Sequence, residues 1–556
     1  MTCGICANSS GSGLPTRFRR WIASLGIGKQ GMKRLYYLHL PILMLFVISS
    51  LYFFDFTAED AYISYRYAEN FVNLGSLVFN IGEPINAMTS PLHIMLSSLL
   101  FFLTSRTVLS NKILGVALLV ASALLVAHRF RRSPDIQALA LSLILLPPCI
   151  LLWTFGGLET PVLLFLVTAT VVFVDASSEF TPKLLYGFFF LAGMGFLTRY
   201  DSILFFAPIM VYVAIKAGSL RHVCIAFITG ALLPALWIAI SIIYYGDMFP
   251  TSFYVKIARY GPSFATLLKN GKYVWSYLLF VGIVPALFIN LILPGPKSTA
   301  LQMFSRNIRE RWWLWIGILL ELMYGLVAAT THMMFSFRLF VPYIPATTIA
   351  LVEWTREILE GHDGAPGRNS ALKASRQPGR TATAVVVFLL CQLLFQAYQV
   401  MYTYNNSLNG IASTGEYRSE GVRHYLSFMD TLRKEAEDIK QHWASVKGER
   451  DRRPRIHTFA EGMLPYSFQE TYVYGALVSY RHDLAPVASR LLSSDYVHIL
   501  APLHGTVSEQ LPKPPEAFTL ISSYQQYFDG SVQSFLVYYN SNPEDNTLQA
   551  RINDPP

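Results

Sequence analysis

Long apolar blocks alternate with short polar segments along most of the chain, and each block approaches the ~20 residues that a membrane-spanning helix needs. We predict about eleven transmembrane helices, near residues 35–54, 112–130, 135–154, 159–175, 184–198, 202–217, 223–245, 273–294, 312–331, 336–354 and 382–403. The apolar block at 90–104 is shorter, so we interpret it as an interfacial or re-entrant helix. The pattern predicts an α-helical polytopic membrane protein.

Basic residues predict the orientation of these helices, because short loops rich in Lys and Arg stay on the cytoplasmic side. If 90–104 does not cross the bilayer, the N-terminal tail lies in the cytoplasm together with the basic segments 128–133, 306–311 and 356–380. The predicted organisation is then a cytoplasmic basic tail at 1–34, a transmembrane catalytic domain at 35–403 and an extracytoplasmic (periplasmic) domain at 404–556. The polar-rich short motifs all fall on the outer face.

The last 150 residues differ in pattern from the rest of the chain. A polar helical stretch at 416–447 precedes four short runs typical of strands, "RIHTF", "DYVHIL", "FTLISSY" and "SVQSFLVYY". The letters "FDGS" between the last two runs predict a hairpin turn at Asp529–Gly530. We therefore predict a C-terminal α/β domain. Its tyrosines and Trp443 are more commonly core residues than platforms for sugar rings.

Composition and motifs exclude several classes of function. The sequence is 53% hydrophobic and 14% charged, whereas a soluble domain carries roughly 25% charged residues. The net charge of +9 is spread over short loops, so it indicates membrane anchoring and no nucleic-acid partner. The sequence contains no P-loop, HExxH, Rossmann glycine or GxSxG motif, and its histidines show no metal-ligand spacing. We predict no metal site and no certain cofactor, although an acidic pair is compatible with a divalent cation.

That acidic pair, Glu59 and Asp60, follows the first predicted span directly. On a helix or a strand, adjacent side chains point in different directions, so the two carboxylates are expected to have different roles. Asp60 is our candidate general base, which would deprotonate a hydroxyl at the membrane surface. The alternative is that both acids cap the helix that follows, where negative charge favours the helix dipole.

Four cations on the same predicted face could bind an anionic donor. Arginine grips phosphate with two parallel hydrogen bonds and lysine acts as a point charge, so we predict a lipid-phosphate site made by Arg66, Arg199, Lys256 and Arg338. The alternative for each is a snorkelling charge at the end of a span. Glu159 in "GGLETP" either caps the next helix or contacts a sugar hydroxyl.

Five motifs in a fixed order resemble a known family. They are "EDAYISYRYAENFVNLGSLVFNIGEPINAMTSPLH", "GGLETPVLLF", "FLTRYDSILFF", "YYGDMFPTSFYVKIA" and "FRLFVPYIPA". In this order they resemble polyprenyl-phosphate-dependent GT-C glycosyltransferases, and most closely the terminal arabinofuranosyltransferases that act on cell-envelope glycans. The resemblance covers roughly residues 35–355. It implies a many-span GT-C fold, a catalytic acid in the first outer loop and a polyprenyl-phosphate sugar donor that enters from the bilayer.

The resemblance transfers to individual positions with some departures. The family's Asp-Asp-Ala corresponds to Glu59-Asp60-Ala61, so the first acid differs, and we assign the catalytic roles to Asp60 and Glu59 with Asp60 as the base. The segment "GEPINAMT" keeps Glu83 but lacks the family's second acid, and "LTRYDS" keeps Arg199 and Asp201. With these positions we predict substrate contacts at Tyr62, Glu83, Glu159, Asp201, Tyr254 and His332.

These observations predict an inverting glycosyltransferase of the bacterial inner (plasma) membrane. It would transfer a sugar, D-arabinofuranose by the resemblance, from a polyprenyl-phosphate donor to a glycan or glycoprotein acceptor on the outer face. One alternative is a transporter or flippase of a lipid-linked sugar, which we weight less because no repeated halves are visible and the acids lie at span ends. Another is a glycan ligase or polymerase that uses a lipid-diphosphate donor.

Overall fold

The structure is a computed structural model that describes residues 29–177, 179–259, 264–280, 297–327, 336–360, 422–446, 453–458, 460–475, 494–502, 518–528 and 531–541. Predictions for 1–28, for most of the span at 273–294 and for the span at 382–403 lie outside these residues. Up to residue 360 the described chain is helical, with α1 Lys29–Phe53, α2 Ala61–Leu74, α3 Pro91–Thr104, α4 Thr107–Arg129, α5 Pro134–Leu145, α6 Pro148–Phe155, α7 Thr160–Ala176, α8 Pro182–Thr198, α9 Ile203–Ala217, α10 Leu220–Ile240, α11 Thr251–Arg259, α12 Phe264–Phe280, α13 Lys297–Glu310, α14 Trp312–Val327 and α15 Ile344–Glu360.

The helix lengths agree with the apolar blocks in most places. Within the described residues, three helices are long and apolar enough to cross a bilayer, Thr107–Arg129, Tyr200–Ala217 and Leu220–Tyr245, and the bent pair α5–α6 makes a fourth if it counts as one span. Shorter apolar helices include α7, α8 and α14. Helix α3 has 14 residues and is only about 21 Å long, which suits the re-entrant interpretation. The number of spans stays a prediction.

Two predicted spans have a different form in the structure. The span at 135–154 is two helices that meet at an angle of 52°, because Pro147 and Pro148 interrupt the helical hydrogen bonds at the junction. The span at 336–354 begins with a turn in which Ser336 and Phe337 have positive φ. The helix α15 starts only at Ile344, with Pro345 in its first turn where proline is tolerated. The turn carries Arg338 towards the outer motifs.

Buried charges form two layers at the two ends of α7. Glu159 precedes the helix, and Asp175 lies at its last turn, a separation of about 24 Å along the axis. Asp175 binds Arg129 at 2.6 Å and Arg311 at 3.0 Å. Glu353 binds Arg129, and it binds Arg356 at 2.6 Å. Arg129, Arg311 and Arg356 come from the three basic segments that were predicted to be cytoplasmic, and they meet in one cluster with Asp175 and Glu353.

The described residues beyond 421 contain helices and one sheet. Helix α16 is Val422–Val446 and α17 is Met463–Ser467, and the strands are β1 Arg455–His457, β2 Tyr472–Tyr474, β3 Tyr496–Pro502, β4 Phe518–Phe528 and β5 Ser531–Asn540. The sheet order is β2-β1-β3-β5-β4, with β1 parallel to β2 and β3 and with β5 antiparallel to β3 and β4. Phe528 pairs with Ser531, and the predicted turn residues Asp529 and Gly530 between them lie outside the described residues.

The predicted core role of Trp443 is confirmed. Its side chain is 3% exposed and packs in a cluster with Ile439, Ile456, Leu464 and Tyr496. This cluster joins α16 to one face of the sheet. A buried indole in that position cannot present its ring to a glycan.

Candidate functional site

The two acids of the pair point to different partners, as the sequence predicted. Their loop runs from the end of α1 to α2, and it is held to the loop before α7 by a hydrogen bond from the Ala58 N–H to the Gly156 carbonyl, at 2.9 Å. Asp60 occupies the N-cap position of α2 without a side-chain cap bond. Its Oδ2 instead accepts a hydrogen bond from Arg338 at 3.1 Å, and its side chain is 51% exposed. The capping alternative for Asp60 is therefore not seen.

Glu59 caps a helix, but not the one that follows it. Its Oε1 accepts hydrogen bonds from the backbone N–H groups of Gly462 and Met463, at 2.5 and 3.0 Å, at the start of α17. The amide N–H of Glu59 donates to the hydroxyl of Tyr425 on α16, also at 2.5 Å. Glu59 thus links the loop between α1 and α2, predicted to be the first outer loop, to two helices that lie more than 360 residues further along the chain.

Burial changes the acidity of Glu59. Desolvation, followed by the nearby charge of Asp60, raises the pKa of its carboxyl to about 8, although the two N–H donors act in the opposite direction. At neutral pH the protonated form of this carboxyl is therefore well populated. A carboxyl that is partly protonated and already bound to the backbone is poorly suited to accept a proton from substrate, which leaves Asp60 as the candidate base.

A row of alternating charges extends from Asp60 into the protein. Arg338 donates from Nη1 to Asp60 and from Nη2 to Glu159 at 3.4 Å. Arg199 lies 3.6 Å from the same Oε1 of Glu159 and binds Asp201 through two bonds of 3.1 and 2.8 Å. The structure therefore brings together five of the predicted site residues from four separate motifs.

Within that row, Glu159 lies between the two arginines. It is 4% exposed and has no side-chain cap bond to α7, so the ion pairs replace the predicted cap. Its role as a sugar contact stays a prediction. Because Arg338 is held on one side by Asp60 and on the other by Glu159, its guanidinium has little freedom to turn.

Arg338 also has an unused donor. Its guanidinium stacks over the ring of Trp153 at 5.3 Å, and the indole N–H of Trp153 donates to the Ser336 carbonyl at 3.1 Å. The Nε of Arg338 is buried and has no hydrogen-bond partner among the residues that the structure describes. A buried charged donor without a partner is costly, and an anionic oxygen from a ligand would satisfy it.

Arg66 has a different environment from the other predicted phosphate ligands. Arg66 is 1% exposed, and the acceptors that its guanidinium finds among the described residues are backbone carbonyls, those of Phe79 at 3.0 Å, Pro465 at 2.9 Å, Thr471 at 2.6 Å and Gln469 at 3.4 Å. With its N–H groups occupied in this way, Arg66 joins the outer loop to the segment around α17. These contacts argue against the predicted phosphate role.

The remaining predicted contacts are placed as follows. Tyr62 packs against Tyr466 with ring centres 4.9 Å apart, and the carboxylate of Glu83 accepts a hydrogen bond from the hydroxyl of Tyr472 at 2.7 Å. Tyr254 lies on α11 and is half-buried. Lys256 lies on the same helix, but its side chain is outside the described part of the structure, as is His332. Their substrate roles stay predictions.

Sequence reasoning missed the partners that come from the C-terminal segment. Tyr466 and Gln469 both donate to Glu69, at 2.6 and 2.5 Å, and Val473 exchanges two backbone bonds of 3.0 Å with the side chain of Asn80. No local pattern could reveal contacts over such distances in sequence. His93 was also missed, although it lies in the quoted "SPLH"; its Nε2 is 3.1 Å from the Gly157 carbonyl.

The two carboxylates of the pair do not converge on a common point. In the part of the chain that the structure describes, no group of three or more His, Cys, Asp or Glu side chains is arranged to hold a metal ion. The predicted compatibility with a divalent cation finds no donor set among these residues.

Comparison with known proteins gives one informative likeness. No protein-family model matches the chain, and no curated protein matches it in sequence. The crystal structure of ArnT from Cupriavidus metallidurans bound to undecaprenyl phosphate is similar to it over 90% of this chain and 98% of the ArnT chain, with a TM-score of 0.51 and 12% identity. The chain has an ArnT-like fold. Apo ArnT from the same organism matches with a TM-score of 0.49 at 12% identity, over 94% of this chain and 98% of that chain.

The ArnT-like fold confirms the predicted fold class at a coarse level. ArnT was solved with undecaprenyl phosphate bound, and the resemblance in the motifs implied a polyprenyl-phosphate glycosyltransferase fold. Twelve per cent identity establishes a shared fold, and function has to be argued from the site. The likeness does not distinguish arabinofuranose from another sugar.

Proposed function

We propose that the protein is a membrane glycosyltransferase that transfers a sugar, with D-arabinofuranose as the first candidate, from a polyprenyl phosphate to a glycan or glycoprotein of the cell envelope. The observation that carries the proposal is the exposed carboxylate of Asp60, which Arg338 holds at the end of a row of buried charges. The ArnT-like fold supports the donor class, because ArnT was solved with undecaprenyl phosphate bound.

The chemistry needs a base and a cation close together, and the site offers both. Asp60 takes the proton from an acceptor hydroxyl, whose oxygen attacks the anomeric carbon of the donor sugar. The bond between that carbon and the phosphate oxygen breaks, and the polyprenyl phosphate leaves with the electron pair. Attack from the face opposite the leaving group inverts the anomeric configuration.

Arg338 takes part both in the proton transfer to Asp60 and in the departure of the phosphate. When Asp60 becomes protonated, its ion pair with Arg338 is lost, and at the same moment the leaving phosphate gains negative charge. The positive charge of Arg338 is then available to the phosphate, and a fixed cation near developing charge lowers the barrier. Arg199 keeps its two bonds to Asp201, so it contributes mainly by fixing Glu159.

The test is transfer by purified protein from synthetic polyprenyl-phosphate arabinose. Asp60→Asn should lower turnover by about 10²–10⁴-fold, the usual contribution of a general base, with unchanged expression. Glu310→Gln removes a carboxylate from an exposed pair with Arg306 and is the matched control. Near-normal turnover by Asp60→Asn would contradict the proposal. Transfer from a lipid diphosphate alone would favour the ligase or polymerase alternative.

A further inference from the structure

A polar cavity lies between the first outer loop and helix α16. Its volume is about 460 Å³, within the range of about 300–1,000 Å³ that is usual for small-molecule sites. The polar side chains that line it are Asp55, Thr57, Tyr62, Ser427, Asp430 and Arg433. Leu426 and Met429 add an apolar part to the wall.

Residues that line the cavity flank the acidic pair along the chain. Asp55 and Thr57 precede the pair and Tyr62 follows it, while the opposite wall is α16. The hydrogen bond from the Glu59 amide to Tyr425 joins that wall to the pair, since Tyr425 is adjacent to Leu426. A molecule in the cavity therefore lies against the loop that carries Asp60, on the side of α16.

The rim of the cavity is exposed where α16 forms it. The side chains of Asp430 and Arg433 are 60% and 53% exposed, whereas Thr57 and Tyr62 are buried at 5% and 3%. A ligand that arrives from the aqueous side can reach this rim without crossing the apolar helices. The lipid-linked donor, by contrast, has its polyprenyl chain in the bilayer.

The charges of the lining favour a neutral ligand. The two carboxylates, Asp55 and Asp430, are balanced by Arg433 and by Lys112, which is close enough to both Asp55 and Arg433 to interact electrostatically. Carboxylates accept hydrogen bonds from hydroxyl groups, and arginine and hydroxyl side chains supply donors. Leu426, which is only partly buried, can pack against the C–H face of a sugar.

We propose that this cavity binds the acceptor glycan and presents one of its hydroxyl groups to Asp60. The assignment rests on the proposed function, because only a transferase needs a second substrate at this loop. In this arrangement the two substrates approach the loop that carries Asp60 from different sides. The donor approaches through Arg338, and the acceptor approaches through the cavity beside α16.

The experiment measures glycan binding and donor cleavage separately. Purified full-length protein is titrated with a panel of octyl furanosides and pyranosides, and binding is followed by intrinsic fluorescence without donor. Asp430→Ala and Arg433→Ala should each weaken binding of the preferred glycoside at least tenfold, since a hydrogen bond to a charged group contributes that much or more. Glu437→Ala is the matched control, because Glu437 is a similarly exposed acid on α16 outside the cavity.

Hydrolysis of synthetic polyprenyl-phosphate arabinose, with water as the acceptor, is measured in parallel. We expect donor hydrolysis to be unchanged in Glu437→Ala, whose side chain lies outside the cavity, while in Asp430→Ala the KM for the glycoside in transfer rises at least tenfold. If no glycoside binds the wild type, or if Asp430→Ala and Arg433→Ala bind as the wild type does, the cavity is not the acceptor site. A wild type that binds glycosides but never cleaves the donor would contradict the proposed function and leave a glycan-binding site.

Discussion

Replacing Arg66 by methionine separates a structural role from the phosphate role that the sequence suggested. The change removes four hydrogen bonds to backbone carbonyls, those of Phe79 at 3.0 Å, Pro465 at 2.9 Å, Thr471 at 2.6 Å and Gln469 at 3.4 Å. A hydrogen bond from a charged donor contributes about 1.5–3 kcal/mol. Part of this loss is offset because methionine avoids the cost of burying a charge. We therefore expect the free energy of unfolding to fall by about 2–4 kcal/mol.

Two measurements check this expectation. The apparent midpoint of thermal unfolding in detergent should fall by about 2–3 °C, because a chain of this length shifts by roughly 1 °C per kcal/mol. Amide hydrogen exchange should become faster in residues 462–474, because the segment loses its anchor on the outer loop. The control is Arg306→Met, which removes an arginine from an exposed pair on α13 and should change neither quantity.

The opposite result has a clear meaning. If Arg66→Met unfolds and exchanges like the wild type while the KM for the polyprenyl-phosphate donor rises tenfold or more, Arg66 binds the donor phosphate. The structural interpretation of its four carbonyl contacts would then be wrong. A loss of stability with an unchanged donor KM in the remaining folded enzyme supports it.

Three further predictions follow from the same site and from the charge pattern. Because the pKa of Glu59 is raised from 4.5 to about 8, the folded protein keeps a proton that the unfolded chain releases. Wild-type stability relative to Glu59→Gln should therefore fall as pH rises from about 4.5 to 8, and a constant difference in unfolding midpoint would contradict this. Gly462→Ala should loosen the Glu59 contact and lower turnover, since its Cβ would lie 2.1 Å from the Glu59 carbonyl oxygen; wild-type turnover would exclude such a clash. A phosphatase fused after Tyr404 should be active and one fused after Arg376 inactive, and the reverse would overturn the topology.

Hydropathy and charge predicted the helical part of the chain because both are local properties. Helix α4, at Thr107–Arg129, is visible as an apolar run that ends at basic residues, and no distant contact is needed to form it. The bend at Pro147–Pro148 was not predicted, although both prolines lie inside the span predicted at 135–154 and proline cannot continue a helix. The start of α15 was not predicted, because the apolar residues before it also suit a span.

The sequence by itself predicted that the side chains of Glu59 and Asp60 would point to different partners, because adjacent side chains face different ways. It also placed Glu159, Arg199 and Arg338 on one face through the order of the apolar blocks. Only the tertiary structure decided what each residue contacts. Glu59 and Arg66 bind a segment about 400 residues away, and the cavity beside α16 exists only because α16 packs near residues 55–62. Such contacts depend on how distant parts of the chain pack, and no local pattern of hydrophobicity or charge encodes them.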